Sequence, residues 1–251
     1  MKMKKLFAVM LVLALALTVV ACGQDVTVDE TTDDTTIVDT TEDTADETEA
    51  EVKVMTYEEF AAAALDAEVV VETYVQAKQS WWDNKGTFYT QSEDGAYFIY
   101  EMACTEDEYN ALTVGTKIRV TGFKAEWSGE VEIIDAKFEV LEGNYVAEAM
   151  DATELLGTEE LAAHQNKLVA FKDMTVGAIE YKNGQPGDDI YVTLTKGEAS
   201  YSFCVEVYLT GVESDVYTTV GTLAAGDIVD VEAFLYWYEG ANPHITSIVK
   251  K

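Results

Sequence analysis

Aromatic side chains that could bind a ligand by stacking occur along much of the chain, and they include the adjacent pair Trp81 and Trp82. Such rings stack on sugars and bases and anchor protein partners, because each combines a large apolar area with a polar handle. Neighbouring side chains on a strand point to opposite faces, so the two tryptophans are not expected to enter one core. The candidate ligand-binding residues are Tyr74, Gln76, Trp81, Trp82, Tyr89, Tyr100, Trp127, Tyr236 and Tyr238.

Residues that could carry out catalysis do not form a recognisable set. His164 and His244 lie outside any metal-ligand or nucleophile spacing, and both are expected to be solvated. The sequence has no closely spaced His/Cys cluster for zinc and no Gly-x-Ser-x-Gly turn. Asp188 and Asp189 in NGQPGDD could hold calcium, but without EF-hand spacing this segment is interpreted as a hairpin turn. We therefore predict a protein that is not an enzyme and has no cofactor and no metal site.

The charge balance is strongly acidic. The chain has 16 basic and 47 acidic residues and a net charge of −31, and residues 52–251 alone have −22 from 13 basic and 35 acidic side chains. Arg119 is the one arginine. Nucleic-acid binding depends on neutralising phosphates, for which arginine is the best-suited side chain. The composition therefore predicts that neither nucleic acid nor an anionic membrane surface is a partner.

The N-terminus has the pattern of an export signal. Three lysines precede an apolar run over residues 6–17, which is too short and wrongly flanked for a membrane span. The following Val19-Val20-Ala21-Cys22 resembles the lipobox of bacterial lipoproteins. That resemblance implies that residues 1–21 are a signal peptide and that Cys22 is lipidated and anchors the protein on the extracytoplasmic face of a bacterial membrane, at the cell surface or in the periplasm. The alternative is an ordinary secretory signal in which Cys22 is incidental.

The segment after Cys22 has the composition of a spacer. Residues 23–51 contain twelve acidic residues and nine threonines, with no aromatic or basic residue. Such a segment cannot bury enough apolar surface to offset its ordering entropy, and its charges repel one another. We predict that residues 22–51 form a disordered acidic stalk behind the lipid anchor.

An internal repeat divides the remaining residues. EEFAA at residues 58–62 is echoed by EELAA at 159–163, and each is followed by an apolar strand pattern. GTKIRVTGFKAEW at 115–127 similarly matches GDIVDVEAFLYWY at 226–238. The repeat predicts two domains, at residues 52–150 and 151–251.

Each repeat contains an ordered set of strands. In the first, a helix with a capping-box pattern at Thr56 and Glu59 precedes three strands, a second helix with the same pattern at Thr105 and Glu108, and two more strands. The stretch from Thr73 to Ala136 is therefore similar to the OB-fold, a five-stranded Greek-key barrel. The second repeat fits this pattern more loosely and has no clear helix before Gly226. The predicted fold class is all-β, with two tandem five-stranded OB-like Greek-key barrels and short helices; β-sandwiches are the alternative.

The OB resemblance implies a place for the tryptophans. Trp81 and Trp82 fall in the first loop of the barrel, which contributes to the binding surface of that fold, and Trp127 ends a hairpin that could approach the same surface. Alternatively, one tryptophan closes the barrel end while the other covers a neighbouring domain. Trp237 alternates with Ala233 and Leu235 and is expected to be in a core.

The two cysteines after Cys22 could form a disulfide outside the cytoplasm. Cys104 is predicted at the end of a strand in the first repeat and Cys204 within a strand of the second. A bond would need their Cα atoms within about 7 Å. Two unpaired, buried thiols are the preferred interpretation.

These observations lead to a functional prediction. The sequence predicts a lipid-anchored binding protein that takes a neutral or cationic ligand, such as a glycan, a peptide or a surface protein, through the aromatic residues of its OB-like barrels. The alternative is a structural or assembly scaffold of the cell envelope without a small-molecule site. A hydrolase is a weaker third possibility, because no catalytic set is visible.

Overall fold

The computed structural model describes residues 53–251, which form two β-barrels packed against each other. The predicted signal peptide, Cys22 and the acidic stalk lie outside the described residues. Within residues 53–251, no helix is both long and apolar enough to cross a membrane.

Barrel 1 is a closed ring of five strands. It contains α1 Tyr57–Ala62, β1 Glu68–Lys78, β2 Lys85–Gln91, β3 Ala96–Ala103, α2 Glu106–Ala111, β4 Thr116–Trp127 and β5 Glu130–Asn144. The ring has the order β1-β2-β3-β5-β4, in which β3 and β5 are parallel and all other pairs are antiparallel. This closed barrel confirms the predicted fold class and excludes the β-sandwich for this domain.

Both helices of barrel 1 begin where their capping boxes predict. The Thr56 hydroxyl accepts a hydrogen bond from the Glu59 N–H, and the Glu59 carboxylate accepts one from the Thr56 N–H. Thr105 and Glu108 form the same reciprocal pair at α2. These bonds satisfy N–H groups that the first turn of a helix leaves without partners.

Barrel 2 repeats the same strand order. It contains β6 Met150–Asp151, two 3₁₀ helices at Thr153–Leu155 and Glu159–His164, β7 Leu168–Tyr181, β8 Ile190–Lys196, β9 Ala199–Val205, α3 Val207–Thr210, α4 Asp215–Val220, β10 Ile228–Phe234 and β11 His244–Lys250. The order β7-β8-β9-β11-β10 matches barrel 1, and β10 also pairs with β7. The short β6 adds to the outside of β7. The shared order is what the internal repeat predicts.

The helical segment of barrel 2 differs from the prediction. No clear helix was expected before Gly226, yet α3 and α4 occupy this region. The β-branched sequence of α4 has low helix propensity. Ser214 caps this helix by accepting the Tyr217 N–H, and Val216, Tyr217 and Val220 are buried against the barrel core. Packing therefore stabilises a helix that local propensity does not indicate.

The barrels meet through an aromatic joint. The Tyr89 ring of barrel 1 stacks on the Phe234 ring of barrel 2, with centroids 4.4 Å apart and an interplanar angle of 11°. The Tyr89 hydroxyl is hydrogen-bonded to His244 Nδ1 at 2.8 Å. His244 is therefore buried, and the prediction that it is solvated is wrong, because the connection from β10 to β11 packs onto barrel 1. His164, also predicted to be solvated, is half-buried.

Both cysteines and two of the four tryptophans pack against the barrel cores. Cys104 and Cys204 are both buried and free. Trp237 is half-buried against the core of barrel 2, in agreement with the alternation around it. Trp81 packs against the core of barrel 1.

Candidate functional site

A cleft of about 510 Å³ lies where the barrels meet, and we name it the interbarrel cleft. Its volume is within the range of small-molecule sites in proteins. Both barrels contribute side chains to it. The lining residues are Gln79, Phe98, Tyr100, Trp127 and Glu132 from barrel 1, and Glu206, Tyr236 and His244 from barrel 2.

Strand β3 positions the first wall of the cleft. Ile99 lies in the core of barrel 1, so Phe98 and Tyr100 on either side of it face outward. Barrel 2 buries Phe98, whereas Tyr100 is 43% exposed. Strand β5 pairs with β3 in a register that sets Glu132 opposite Phe98. The sheet thus places a carboxyl group beside two aromatic rings.

The connection between β10 and β11 supplies the second wall. The Tyr236 ring stacks on His244 with centroids 4.4 Å apart and meets Phe98 edge-on at 5.3 Å. Burial lowers the pKa of His244 to about 4, so the imidazole is neutral at physiological pH. Burial also raises the pKa of Tyr236, so its hydroxyl stays protonated. This wall is therefore aromatic and uncharged.

Two hairpin tips form the rim. Trp127 at the end of β4 is 53% exposed, and its ring packs on Tyr238 with centroids 5.2 Å apart. The adjacent Glu239 N–H donates to the Ser128 carbonyl at 2.7 Å. These contacts hold the Trp127 indole at the mouth of the cleft.

The acidic group contributed by barrel 2 is Glu206, which lies between β9 and α3. It is half-buried, and its Oε2 atom is shielded from solvent without a hydrogen-bond partner among residues 53–251. Burial, and then the neighbouring Asp189 carboxylate, raises the pKa of Glu206 to about 7. Burial also raises the pKa of Glu132. A neutral carboxyl group donates one hydrogen bond and accepts others, so Glu206 can both donate and accept near neutral pH.

A second cavity, of about 560 Å³, shares residues with the first, and we name it the tryptophan groove. Gln79 and Tyr100 line both cavities. Trp81, Trp82 and Tyr208 are the other aromatic residues of the groove. The two cavities therefore form one continuous surface along the outer face of β3 and the loop after β1.

Five of the nine candidate residues lie on this surface. Tyr100, Trp127 and Tyr236 line the interbarrel cleft, and Trp81 and Trp82 line the tryptophan groove. Tyr238 is half exposed at the rim, where it packs on Trp127.

The other three candidates lie elsewhere. Tyr89 is fully buried in the aromatic joint. Gln76 is buried, and its side-chain amide donates to the carbonyls of Tyr74 and Tyr145. The Tyr74 ring packs on Tyr145. Gln76 and Tyr74 therefore hold the segment that follows β5.

Sequence reasoning missed five residues of the interbarrel cleft: Gln79, Phe98, Glu132, Glu206 and His244. The alternation around Ile99 could have identified Phe98, because Phe98 shares a strand face with Tyr100, which was already a candidate ligand-binding residue. Glu132 and Glu206 could not be distinguished from the other acidic residues, since their burial depends on how the two barrels pack together.

Comparison with known proteins gives only distant structural similarity. No family model and no curated protein matches the sequence. A murine DNA-binding protein bound to double-stranded DNA is 11% identical, with a TM-score of 0.35 over 72% of this chain and 96% of that one. The Ifi202 HINa domain in complex with 20-bp double-stranded DNA is 13% identical, with a TM-score of 0.32 over 74% of this chain and 98% of that one. A replication protein A heterotrimer bound to single-stranded DNA is 10% identical, with a TM-score of 0.32 over 79% of this chain and 52% of that one.

The functional prediction from the sequence is corrected at this point. These similar structures are DNA complexes, which contradicts the prediction that nucleic acid is not a partner. The predicted glycan, peptide or surface-protein ligand is corrected with it, as is the alternative of an envelope scaffold. The prediction rested on net charge, which bears on contacts to phosphate and not on contacts to bases. The ligand of this chain must be inferred from the chemistry of the cleft.

Proposed function

We propose that this protein is a non-catalytic binding protein that takes a nucleobase into the interbarrel cleft, carried by a nucleoside or by a single-stranded nucleic acid. One observation carries the proposal. The Glu206 carboxyl group, with a solvent-shielded oxygen that has no partner among the described residues, lies in a cleft lined by aromatic rings.

The aromatic residues suit a flat ring. Every base has a π-face, and stacking on an aromatic side chain contributes about 1–3 kcal/mol per base. Trp127 and Tyr100 are exposed at the cleft, whereas Phe98 and Tyr236 are more buried. A base could therefore enter between exposed rings and reach a packed aromatic floor.

The carboxyl groups suit the edge of a base. The exocyclic amines of cytosine and adenine are donors next to a ring-nitrogen acceptor, and glutamate accepts readily from such an amine. A neutral Glu206 carboxyl presents both a donor and an acceptor, which matches that pair. The ionised form only accepts, which matches the two adjacent N–H donors of guanine.

The charge of the cleft determines which part of the ligand it contacts. Its ionisable carboxyl groups are Glu132 and Glu206, the imidazole of His244 is neutral, and none of its eight lining residues is a lysine or an arginine. Phosphate groups would be repelled there. The base must therefore provide the affinity, while the sugar and any phosphate remain in solvent.

The proposal retains the lipid anchor. Lipidation of Cys22 would hold the cleft on the extracytoplasmic face of a bacterial membrane, and the acidic residues 22–51 would separate it from the bilayer. The lipobox resemblance supports this part of the proposal.

The experiment is calorimetric titration of the protein with adenosine, cytidine and guanosine. Trp127→Ala should weaken binding by about 5- to 140-fold, from the loss of one stacking contact. Phe123→Ala is the matched control, because Phe123 is an aromatic residue of the same strand with 41% exposure and does not line the cleft. Tetramethylammonium chloride should not compete. Binding of that cation in place of the nucleosides would identify an organic-cation site and overturn the proposal.

A further inference from the structure

The Trp81-Trp82 pair has two distinct environments. Trp81 is half-buried, and its indole Nε1 donates to the Cys104 carbonyl at 3.1 Å. Trp82 is 79% exposed, the most exposed of the large hydrophobic side chains among residues 53–251. Trp81 anchors the loop, so the exposed Trp82 ring needs a separate explanation.

The backbone holds Trp82 in a defined position. Trp82 and Lys85 exchange backbone hydrogen bonds of 3.0 and 2.9 Å across a two-residue turn. The turn residues Asp83 and Asn84 have φ values of 47° and 59°, as in a type I′ hairpin turn, and Asn and Asp are among the residues that tolerate this conformation. The turn presents Trp82 with its backbone already ordered, which lowers the entropic cost of binding through it.

The loop is also fixed to barrel 2. The Ser80 N–H donates to the Tyr208 carbonyl at 2.8 Å. Tyr208 and Trp82 line the same groove. Gln79 and Tyr100 connect this groove to the interbarrel cleft, since both line each cavity. A ligand in the cleft can therefore extend along Tyr100 to Trp82 without leaving the surface.

The groove also differs in charge from the cleft. Lys85 is the one lysine or arginine among the residues that line the two cavities, and it pairs with Glu101 at 2.8 Å. Both members of this pair are more than 40% exposed. This exposed ammonium group is available to donate to a phosphate group of a ligand that lies in the tryptophan groove.

We propose that the tryptophan groove is a second stacking subsite, in which Trp82 takes the base next to the one held in the interbarrel cleft. This inference rests on the proposed function. It specifies the ligand as a single-stranded oligonucleotide of at least two residues, with Lys85 beside the connecting phosphate.

The experiment compares adenosine with the dinucleoside monophosphate ApA, by calorimetric titration of the protein at 300 mM salt. Trp82→Ala should weaken ApA binding by about 5- to 140-fold and leave adenosine binding unchanged. Trp82→Phe should retain most of the ApA affinity, since an aromatic ring remains. Phe123→Ala, which removes an exposed ring outside both cavities, should affect neither ligand.

The two proposals fail in different ways. If adenosine binds and requires Trp127, but Trp82→Ala leaves ApA binding unchanged, the second subsite is wrong and the nucleobase cleft is retained. If neither adenosine nor ApA binds to the unmodified protein, both proposals are overturned. Thermal unfolding of each variant checks that a lost interaction does not reflect a lost fold.

Discussion

The substitution Glu130→Gln should stabilise the protein, and the gain should increase with pH. Glu130 is fully buried where the tip of the β4–β5 hairpin meets barrel 2. Its Oε2 atom accepts the Trp237 N–H at 2.8 Å, whereas its Oε1 atom has no partner among the described residues. Burial raises the pKa of Glu130 from 4.5 to about 8.

The direction of the pH dependence follows from the number of protons bound by the folded and unfolded states. Between pH 4.5 and about 8 the unfolded chain has released the Glu130 proton while the folded protein retains it. The free energy of unfolding therefore falls as pH rises through this range. One pKa unit corresponds to 1.36 kcal/mol. Burial of Glu130 therefore lowers the free energy of unfolding by nearly zero at pH 4.5, by about 3 kcal/mol at pH 7 and by about 5 kcal/mol above pH 8.

Glutamine at position 130 removes this pH-dependent loss of stability and keeps the hydrogen bond from Trp237. Its amide oxygen can still accept the Trp237 N–H, and its amide N–H₂ can donate to the adjacent Asn166, whose Oδ1 also lacks a partner among residues 53–251. At pH 7 the melting temperature should rise by about 6–12 °C, from the usual 2–4 °C per kcal/mol for chains of this size.

The assay is urea unfolding of both proteins at pH 5, 6, 7 and 8. The difference in unfolding free energy should increase steadily across the series. Glu126→Gln, an exposed substitution near the end of the same hairpin, should change stability by less than about 0.5 kcal/mol at each pH. A difference for Glu130→Gln that does not vary with pH would refute the reasoning, because an ionisable group would then not be its cause.

Three further predictions concern the ligand and the anchor. Adenosine affinity, measured by calorimetric titration, should fall by about tenfold per pH unit above pH 7 as Glu206 ionises. Glu206→Gln keeps a donor and an acceptor and should abolish this pH dependence. His244, with a pKa of about 4, remains neutral over that pH range. In fluorescence titrations, the affinity for a deoxyadenosine hexamer should increase between 50 and 300 mM salt. Salt screens the repulsion between the phosphates and residues 52–251, which have a net charge of −22. A steep decrease in affinity would instead indicate ordinary phosphate binding. Cys22→Ser should move the protein from the membrane fraction to the soluble fraction in cell fractionation, while a serine variant that remains with the membrane would exclude a lipid anchor at this residue.

Local sequence patterns were sufficient to predict the first barrel. Alternation along β1 places Val69, Val71 and Val75 in the core, and the capping boxes mark both helices. Such signals need only a few neighbouring residues, so they can be read from one segment at a time. The repeat extended the same architecture to the second barrel, although it could not show the helix α4, whose stability comes from packing.

Most of the cleft could not be predicted in the same way. His244 and Tyr89 each follow an unremarkable local pattern, yet they are buried because the two barrels pack against each other through them. The raised pKa of Glu206 likewise depends on burial between elements that are distant in sequence. Long-range packing determines these properties, and a single sequence contains no local signal for it.

The joint between the barrels also explains why one part of the outer face of β3 is open. Phe98 and Tyr89 are covered by Phe234 and Tyr236 of barrel 2, whereas Tyr100, two residues further along β3, remains exposed. Barrel 2 thus covers one half of a surface that an isolated OB barrel would leave open for binding, and its own side chains form a wall beside the other half. A base that enters the cleft would contact both barrels at once. Its affinity should therefore depend on the joint as well as on the residues that touch it.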